Sequence, residues 1–421
     1  MRTTLFEDMP LAQEPSQGRR KTLEMEGWSS NYLNEAQLAG RSCKYESWEI
    51  AGSSAKLSYL THGFFRYFGK FPPPVAKRFI EELHDPSTGP VVDPMVGSGT
   101  TLVEAILLKR QAVGLDVNPL ACLIAKVKTT PIPSSKITDA LQRYTRFYHR
   151  KYGNRASEYI PQDAYLNHWF FEETQRGLAK TRQFIEEQVD DKDVKDFLLL
   201  TLASIIRHVS RASNGLGRMF LDPAIQPLDT HDIFIKKATQ LLERFKELQV
   251  LNPKVRVIQH DARIGFMGSE KTNLVICHPP YFNLYRYSSI YKFEMLWLGY
   301  DYSDTRKQEV REGFKIGKAE LVEAYLDDVH LILKNISHVL TPRGWCVLMI
   351  GDTFLRGERI NTTARLIDRV GQQIPCLKLN HIIVRHPKYT EASYAATQRR
   401  AGKDVGVKLS DHLIVFQKNA P

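Results

Sequence analysis

The stretch "GPVVDPMVGSGTTLVEAILLKR" (residues 89–110) decides the fold. A short apolar run ends in Asp93 and Pro94, two glycines follow at Gly97 and Gly99, and Thr100 opens an apolar segment of helical spacing. This order predicts a strand, a loop and a helix. Glycines let backbone approach a ligand closely, and a helix start offers free N–H groups. The loop lacks the lysine of a triphosphate-binding P-loop, which disfavours that use. Taken alone, the stretch also fits a plain tight turn.

The next segment repeats the plan. "QAVGLDVNPLACLIAKVK" (111–128) reads as a strand to Leu115, an acidic tip at Asp116 with Asn118 beside it, then a helix. Two such units in succession predict a parallel sheet with helices on its faces. An acidic residue about 20 positions beyond the first can take both hydroxyls of a ribose. A third acidic tip, Asp261 with Ala262 after it in "QHDAR", ends a later strand and can accept from an adenine amino group. Each carboxylate alone would also serve as a helix N-cap. All three, at the carboxyl ends of neighbouring strands and beside the glycines, describe one crevice.

Further strands are expected in "KVRVIQHDAR", "TNLVICHPPY", "GWCVLMIGD", "LNHIIVRH" and "DHLIVFQK", the last two as an antiparallel hairpin around a long basic segment. With the first two they make an α/β fold on a seven-stranded, mostly parallel sheet. Ahead of the glycine loop, "HGFFRYFGKFPPPVAKRFIEEL" places three prolines before a helical pattern at Val75, Phe79, Ile80 and Leu83. Between 131 and 250 the rhythm changes to amphipathic helices, interrupted by the Gly/Pro-rich loop "SNGLGRMFLDPAIQP". The expected organisation is therefore an irregular extension (1–50), a first sheet segment (51–130), an inserted helical domain (131–250) and a second sheet segment (251–421).

The 421 residues carry a formal net charge of +11, which points to a polyanionic partner, nucleic acid first. The five cysteines, Cys43, Cys122, Cys277, Cys346 and Cys376, form no CxxC pair, so neither a zinc site nor a disulfide framework is expected. No metal-ligand spacing occurs elsewhere. No apolar run approaches the roughly 18 residues of a membrane span, and the N-terminus has no signal-peptide core. A cytoplasmic setting, with no membrane association, is expected.

One strand then runs straight into two prolines, in "NLVICHPPYFN" (273–283). Together, "DPMVGSGTT", "GLDVNPLA", "HDAR" and "HPPY" resemble the S-adenosylmethionine-dependent DNA methyltransferases that modify exocyclic amino groups, giving N4-methylcytosine or N6-methyladenine. The likeness covers about 59–130 and 255–421, and "FRYFGKFPPPVAKRFIE" resembles that family's additional cofactor segment. It implies that Asp93, Pro94, Gly97, Gly99 and Thr100 surround the amino-acid part of S-adenosylmethionine. Asp116 would bind its ribose and Asp261 its adenine, with Asn118 and Ala262 also at the cofactor, while Phe68, Lys70 and Phe71 close the site. Those aromatics also suit plain core packing.

The same likeness gives "HPPY" a task. An exocyclic base nitrogen is a poor nucleophile, because its lone pair is delocalised into the ring. Acceptors that bind the amino group stabilise the charge developing on nitrogen. Pro279 and Pro280 would fix a turn that exposes the Pro279 carbonyl, His278 would be the second acceptor, and Tyr281 would stack on a base turned out of the duplex. The family usually has Asp, Asn or Ser at the first position. A neutral imidazole can still accept, and can take the proton after transfer, but it carries no clue to cytosine or adenine. An inert loop histidine is the plain alternative. The aromatic segment "NLYRYSSIYKFEMLWLGY" resembles the segment after the motif in cytosine-type enzymes, and it suits an aromatic core helix nearly as well.

Phosphate contacts are expected from Arg207, Arg211 and Arg218, from Arg286 and Lys292 beside the motif, and from Arg399, Arg400 and Lys403. Each suits solvated surface as well. The helical domain is the expected target-recognition element. The preferred function is a double-stranded DNA methyltransferase making N4-methylcytosine, with N6-methyladenine second. A cognate restriction endonuclease acting on the same site is implied by the resemblance. Methylation of RNA or of protein glutamine, and a non-catalytic DNA-binding module, are the competing readings.

Overall fold

The computed structural model describes residues 44–48, 57–150, 155–212, 220–249, 251, 254–266, 271–282, 287–310, 320–355, 358–385 and 411–420. Its main sheet contains β1 (Lys44–Trp48), β2 (Val91–Asp93), β3 (Ala112–Asp116), β4 (Val255–Gln259), β5 (Thr272–Cys277), β6 (Leu340–Gly351), β7 (Leu377–Arg385) and β8 (Asp411–Lys418). The strand order is β1-β7-β8-β6-β5-β2-β3-β4. The seven expected strands are all present, and β8 is antiparallel to both neighbours. The other pairs are parallel. An eighth strand, β1, pairs with the edge of β7. It falls within the first 50 residues, read above as irregular. An open strand edge leaves N–H and C=O groups to be paired, and those five residues pair them.

Both faces of the sheet are covered, so its central strands are apolar without alternation. Leu274 and Ile276 of β5 point to one core, shared with Val75, Phe79 and Ile80 of α1 (Pro73–Leu83) and Leu102 of α2 (Thr100–Leu107). Val275 and Cys277 point to the other, shared with Tyr325, Leu333 and Ile336 of α11 (Glu320–Val339) and with Leu366 and Ile367 of α12 (Thr362–Gln373). Each such aliphatic side chain contributes about 1.5–3 kcal/mol by leaving water. The sheet is thereby a rigid platform for the loops at its carboxyl edge.

After β3, α3 (Pro119–Thr129) begins with proline at its first position, and Asn118 Oδ1 accepts from the Leu120 N–H at 2.9 Å. The segment between the two halves of the sheet forms α4 (Ser134–Tyr148), α5 (Glu172–Gln188), α6 (Lys192–Val209) and α7 (Thr230–Gln249). These helices share one continuous core with α3 and the 60–68 segment. Phe64 stacks on Phe245 at 5.5 Å, and Phe197 meets the same ring edge-on at 5.7 Å. Short helices α8 (Tyr287–Ile290), α9 (Lys292–Trp297) and α10 (Tyr302–Gln308) follow β5, and α9 packs into that helical core through Phe293 and Trp297. No helix among the described residues is long and apolar enough to cross a membrane.

Candidate active site

Strands β5, β2 and β3 are consecutive neighbours and all parallel, so the loops after them emerge at the same edge. That edge therefore gathers His278, Asp93 and Asp116. The glycine loop lies over it. Gly97 and Gly99 adopt φ of +47° and +76°, which side chains rarely tolerate. A Cβ on Gly99 would lie 3.0 Å from Ala125 of α3. The loop is tied to the second acidic tip, because the Gly97 N–H donates to Asp116 Oδ2 at 2.9 Å. The Asn118 N–H donates to Oδ1 of the same carboxylate at 2.9 Å. The Met95 N–H donates to Asp93 Oδ1 at 3.1 Å. Behind the loop, the buried Lys128 ammonium donates to the Ser98 carbonyl.

A cleft lies against this edge. Lys70, Phe71, Asp93, Gly97, Thr100, Asp116 and Asn118 line it, and His278 and Pro280 form part of its wall. Burial raises the Asp93 carboxyl to about 7 and that of Asp116 to about 6. The Lys70 ammonium reaches the His62 carbonyl at 3.3 Å.

Other expected residues lie outside that wall. Phe68 is core, and its N–H donates to the Tyr291 hydroxyl at 2.7 Å. Pro94 is buried, and Gly99 caps α2. Asp261 caps a single helical turn, and both its oxygens are taken by Arg263, at 3.0, 3.0 and 2.7 Å. Arg263 also donates to Asp328 at 3.1 Å and to the Gln308 carbonyl at 2.6 Å. Ala262 belongs to the core behind it.

The cleft contains a carboxylate the sequence reading missed. Glu309, directly after α10, lines it together with Val310 and Tyr287. Ser288 donates to it through N–H and hydroxyl, both at 2.8 Å, and burial raises it to about 7. Nothing local marks Glu309, because it meets Asp116 only through the fold. Tyr67 was also missed. Its ring stacks on Tyr287 and Tyr291, at 5.3 Å from each, and covers Gly97. The aromatic density on both sides of these pairs was the available signal.

In the "HPPY" loop, Phe71 and Tyr281 meet the His278 ring edge-on at 5.5 and 5.4 Å. Burial lowers its pKa to about 4, so it is neutral at physiological pH. Among the described residues no hydrogen bond engages its imidazole, which leaves an acceptor nitrogen available. Pro279 is buried, while Tyr281 is half-buried and its O–H donates to Asp411 Oδ1 at 2.8 Å.

Of the expected basic residues, Arg207, Arg211 and Lys292 are described. Arg207, half-buried at the end of α6, lies near Glu294, and burial lowers its pKa. Arg211 lies 5.0 Å over the Phe171 ring and donates to the His168 carbonyl at 3.3 Å. Lys292 pairs with Asp163 at 2.8 Å. Arg218, Arg286, Arg399, Arg400 and Lys403 lie outside the described residues.

Residues 14–127 match the family model N6_N4_Mtase, described as DNA methylase. Over 170 residues the chain is 33% identical to type II methyltransferase M.MvaI of Kocuria varians, covering 38% of this chain and 37% of that protein. It is 29% identical over 164 residues to M.MjaII of Methanocaldococcus jannaschii, covering 36% and 30%. To M.BsoBI of Geobacillus stearothermophilus it is 22% identical over 293 residues, covering 62% and 57%. The alignments thus span from under a third to somewhat over half of these relatives.

The likeness to S-adenosylmethionine-dependent DNA amino-methyltransferases is borne out over the matched family segment, which ends before "HPPY". That family implies S-adenosylmethionine as methyl donor, and the residues present fit it. Thr100 Oγ1 and Asn118 Nδ2 are buried, lack a hydrogen-bond partner and belong to residues lining the cleft. Polar atoms in that state favour a polar ligand. Three carboxylates suit its hydroxyls and positive charge.

Proposed function

We propose that this chain is a site-specific DNA methyltransferase that methylates the exocyclic amino group of a flipped base, N4 of cytosine in preference to N6 of adenine. The observation that carries this reading is shared lining: His278 and Pro280 of the "HPPY" loop wall the same cleft as Asp93, Asp116 and the glycine loop. An acceptor for an amino group, the His278 ring, thus stands beside the place that suits the methyl donor.

Bound S-adenosylmethionine supplies an electrophilic methyl group. Thr100 and Asn118 would hold it as donors and Asp116 as an acceptor. Glu309 supplies a further acceptor, since Asp261 is committed to Arg263. The neutral His278 ring and the Pro279 carbonyl accept from the target amino group, stabilising the charge that develops there. Tyr281 supports the extruded base. Proximity in a walled cleft supplies much of the rate. The cytosine preference is supported by the resemblance of the aromatic segment after the motif to cytosine-type enzymes.

We assign target recognition to the helical segment between 131 and 250, and phosphate contact to the basic residues named above, Arg211 foremost among those described. A cytoplasmic role as the protective partner of a restriction endonuclease completes the reading. It is supported by the type II names of the relatives.

The test is incubation with labelled S-adenosylmethionine and duplex DNA of mixed sequence, with RNA and protein extract in parallel. Mass spectrometry of the nucleosides then identifies the product. N4-methylcytosine is expected. N6-methyladenine would reverse the base preference, and label only in RNA or protein would overturn the DNA assignment.

A further inference from the structure

Tyr281 is held from across the sheet. Its hydroxyl donates to Asp411 Oδ1 at 2.8 Å, and Arg385 binds the other oxygen of that carboxylate through Nε, at 2.6 Å, and through Nη2. The sheet explains the meeting. Asp411 is the first residue of β8 and pairs in register with Gly351 and Arg385, the last residues of β6 and β7. Because β8 runs against its neighbours, its first residue stands at the edge where the parallel strands end. The loop after β5 emerges at that same edge.

A ring that only offers a flat face needs no hydroxyl partner, and phenylalanine would serve. Here the hydroxyl has a charged acceptor, and each carboxylate oxygen has its own partner. The chain on the other side is fixed too, since Phe282 is buried against Tyr325 at 5.6 Å. We propose that Asp411, oriented by Arg385, is a positioning residue that holds the Tyr281 ring ready for the extruded base. This rests on the function proposed above. A ring held in advance loses less freedom when the base arrives, which favours the flipped state.

The test uses the full chain and a duplex, chosen from fragments of defined sequence, that takes up labelled methyl groups. The target base is replaced by a fluorescent analogue, pyrrolocytosine or 2-aminopurine, whose emission rises on leaving the stack. Tyr281→Phe, Asp411→Ala and their double variant are compared for emission, for kcat and KM on natural duplex, and for S-adenosylmethionine affinity. Each single change is expected to cut flipping and kcat about tenfold, the scale of a hydrogen bond to a charged group. Cofactor affinity should stay within about twofold, and the double variant should be no worse than Asp411→Ala, as for two residues acting through one bond. Tyr281→Phe leaves the Arg385–Asp411 pair intact, so it decides the matter if Asp411→Ala fails to fold. Full flipping and turnover in Tyr281→Phe would overturn the role, as would additive losses or a parallel loss of cofactor affinity. A wild-type chain that methylates no nucleic acid overturns the proposed function itself, a separate outcome from an active wild type with an unimpaired Tyr281→Phe.

Discussion

The backbone N–H of Gly97 donates to Asp116 Oδ2 at 2.9 Å, so the glycine loop after β2 and the acidic tip of β3 form one hydrogen-bonded unit. Replacing Asp116 by Asn leaves an oxygen but removes the charge. Replacing Gly99 by Ala forces a Cβ to 3.0 Å from Ala125 at a φ of +76°. Both variants are expected to weaken S-adenosylmethionine binding by about tenfold or more, the scale of a lost charged hydrogen bond or of left-handed strain. Isothermal titration calorimetry reads this directly. Unchanged affinity in both would remove the loop from the cofactor site.

Cofactor affinity should depend on pH. The Asp93, Asp116 and Glu309 carboxyls titrate at about 7, 6 and 7 in the protein, against about 4 when unfolded. A carboxyl raised in this way keeps its proton longer in the fold. Its contribution to stability is therefore present at low pH, declines as pH climbs from about 4 to about 7, and is level above that. Affinity for the cationic cofactor should move the other way, rising through about 6–7 as the carboxylates form. Titrations across pH 5.5–8 check this, and Glu309→Gln should flatten part of the rise. A flat profile in the wild type would count against an anionic cleft.

His278 is expected to act as a neutral acceptor. With its pKa lowered to about 4 it should not ionise near 6.5, so the pH profile of kcat/KM should show no histidine limb there that vanishes on substitution. His278→Ser should keep part of the activity, and His278→Ala should lose most of it, about a hundredfold as for a lost acceptor at a reacting centre. Full activity in His278→Ala would leave the Pro279 carbonyl as the acceptor.

Asp261 and Arg263 separate two roles. Arg263→Ala removes the guanidinium shared by Asp261 and the buried Asp328. The pairs are partly exposed, so a loss of about 1–3 kcal/mol is expected, seen as a fall in Tm of several degrees. S-adenosylmethionine affinity should change little. If Asp261→Asn instead weakened cofactor binding without moving Tm, the adenine contact expected from sequence would be restored.

Much of this was legible before folding. Apolar runs ending in Asp93, Asp116 and "HPPY" mark strand ends, because strands that carry chemistry stop at a loop. Helical spacing at Val75, Phe79 and Ile80 marks a buried face, and all three are buried. Less legible was the separation between helical segment and sheet, since α4–α7 share a core with α3. Contact between residues far apart in sequence leaves no local pattern.

The kinds of local unit and their order could be read along the chain: glycine loop, acidic tips, proline-terminated strand. Backbone conformation and helix starts depend on neighbouring residues, so they can be read in sequence. Which carboxylates face the cleft depends on the folded arrangement. It turned Asp261 onto Arg263, brought Glu309 beside Asp116, and set Asp411 against Tyr281. The physical reason is strand order and direction. An antiparallel β8 and the succession β5-β2-β3 assemble one edge from residues more than 300 positions apart, such as Asp93 and Asp411.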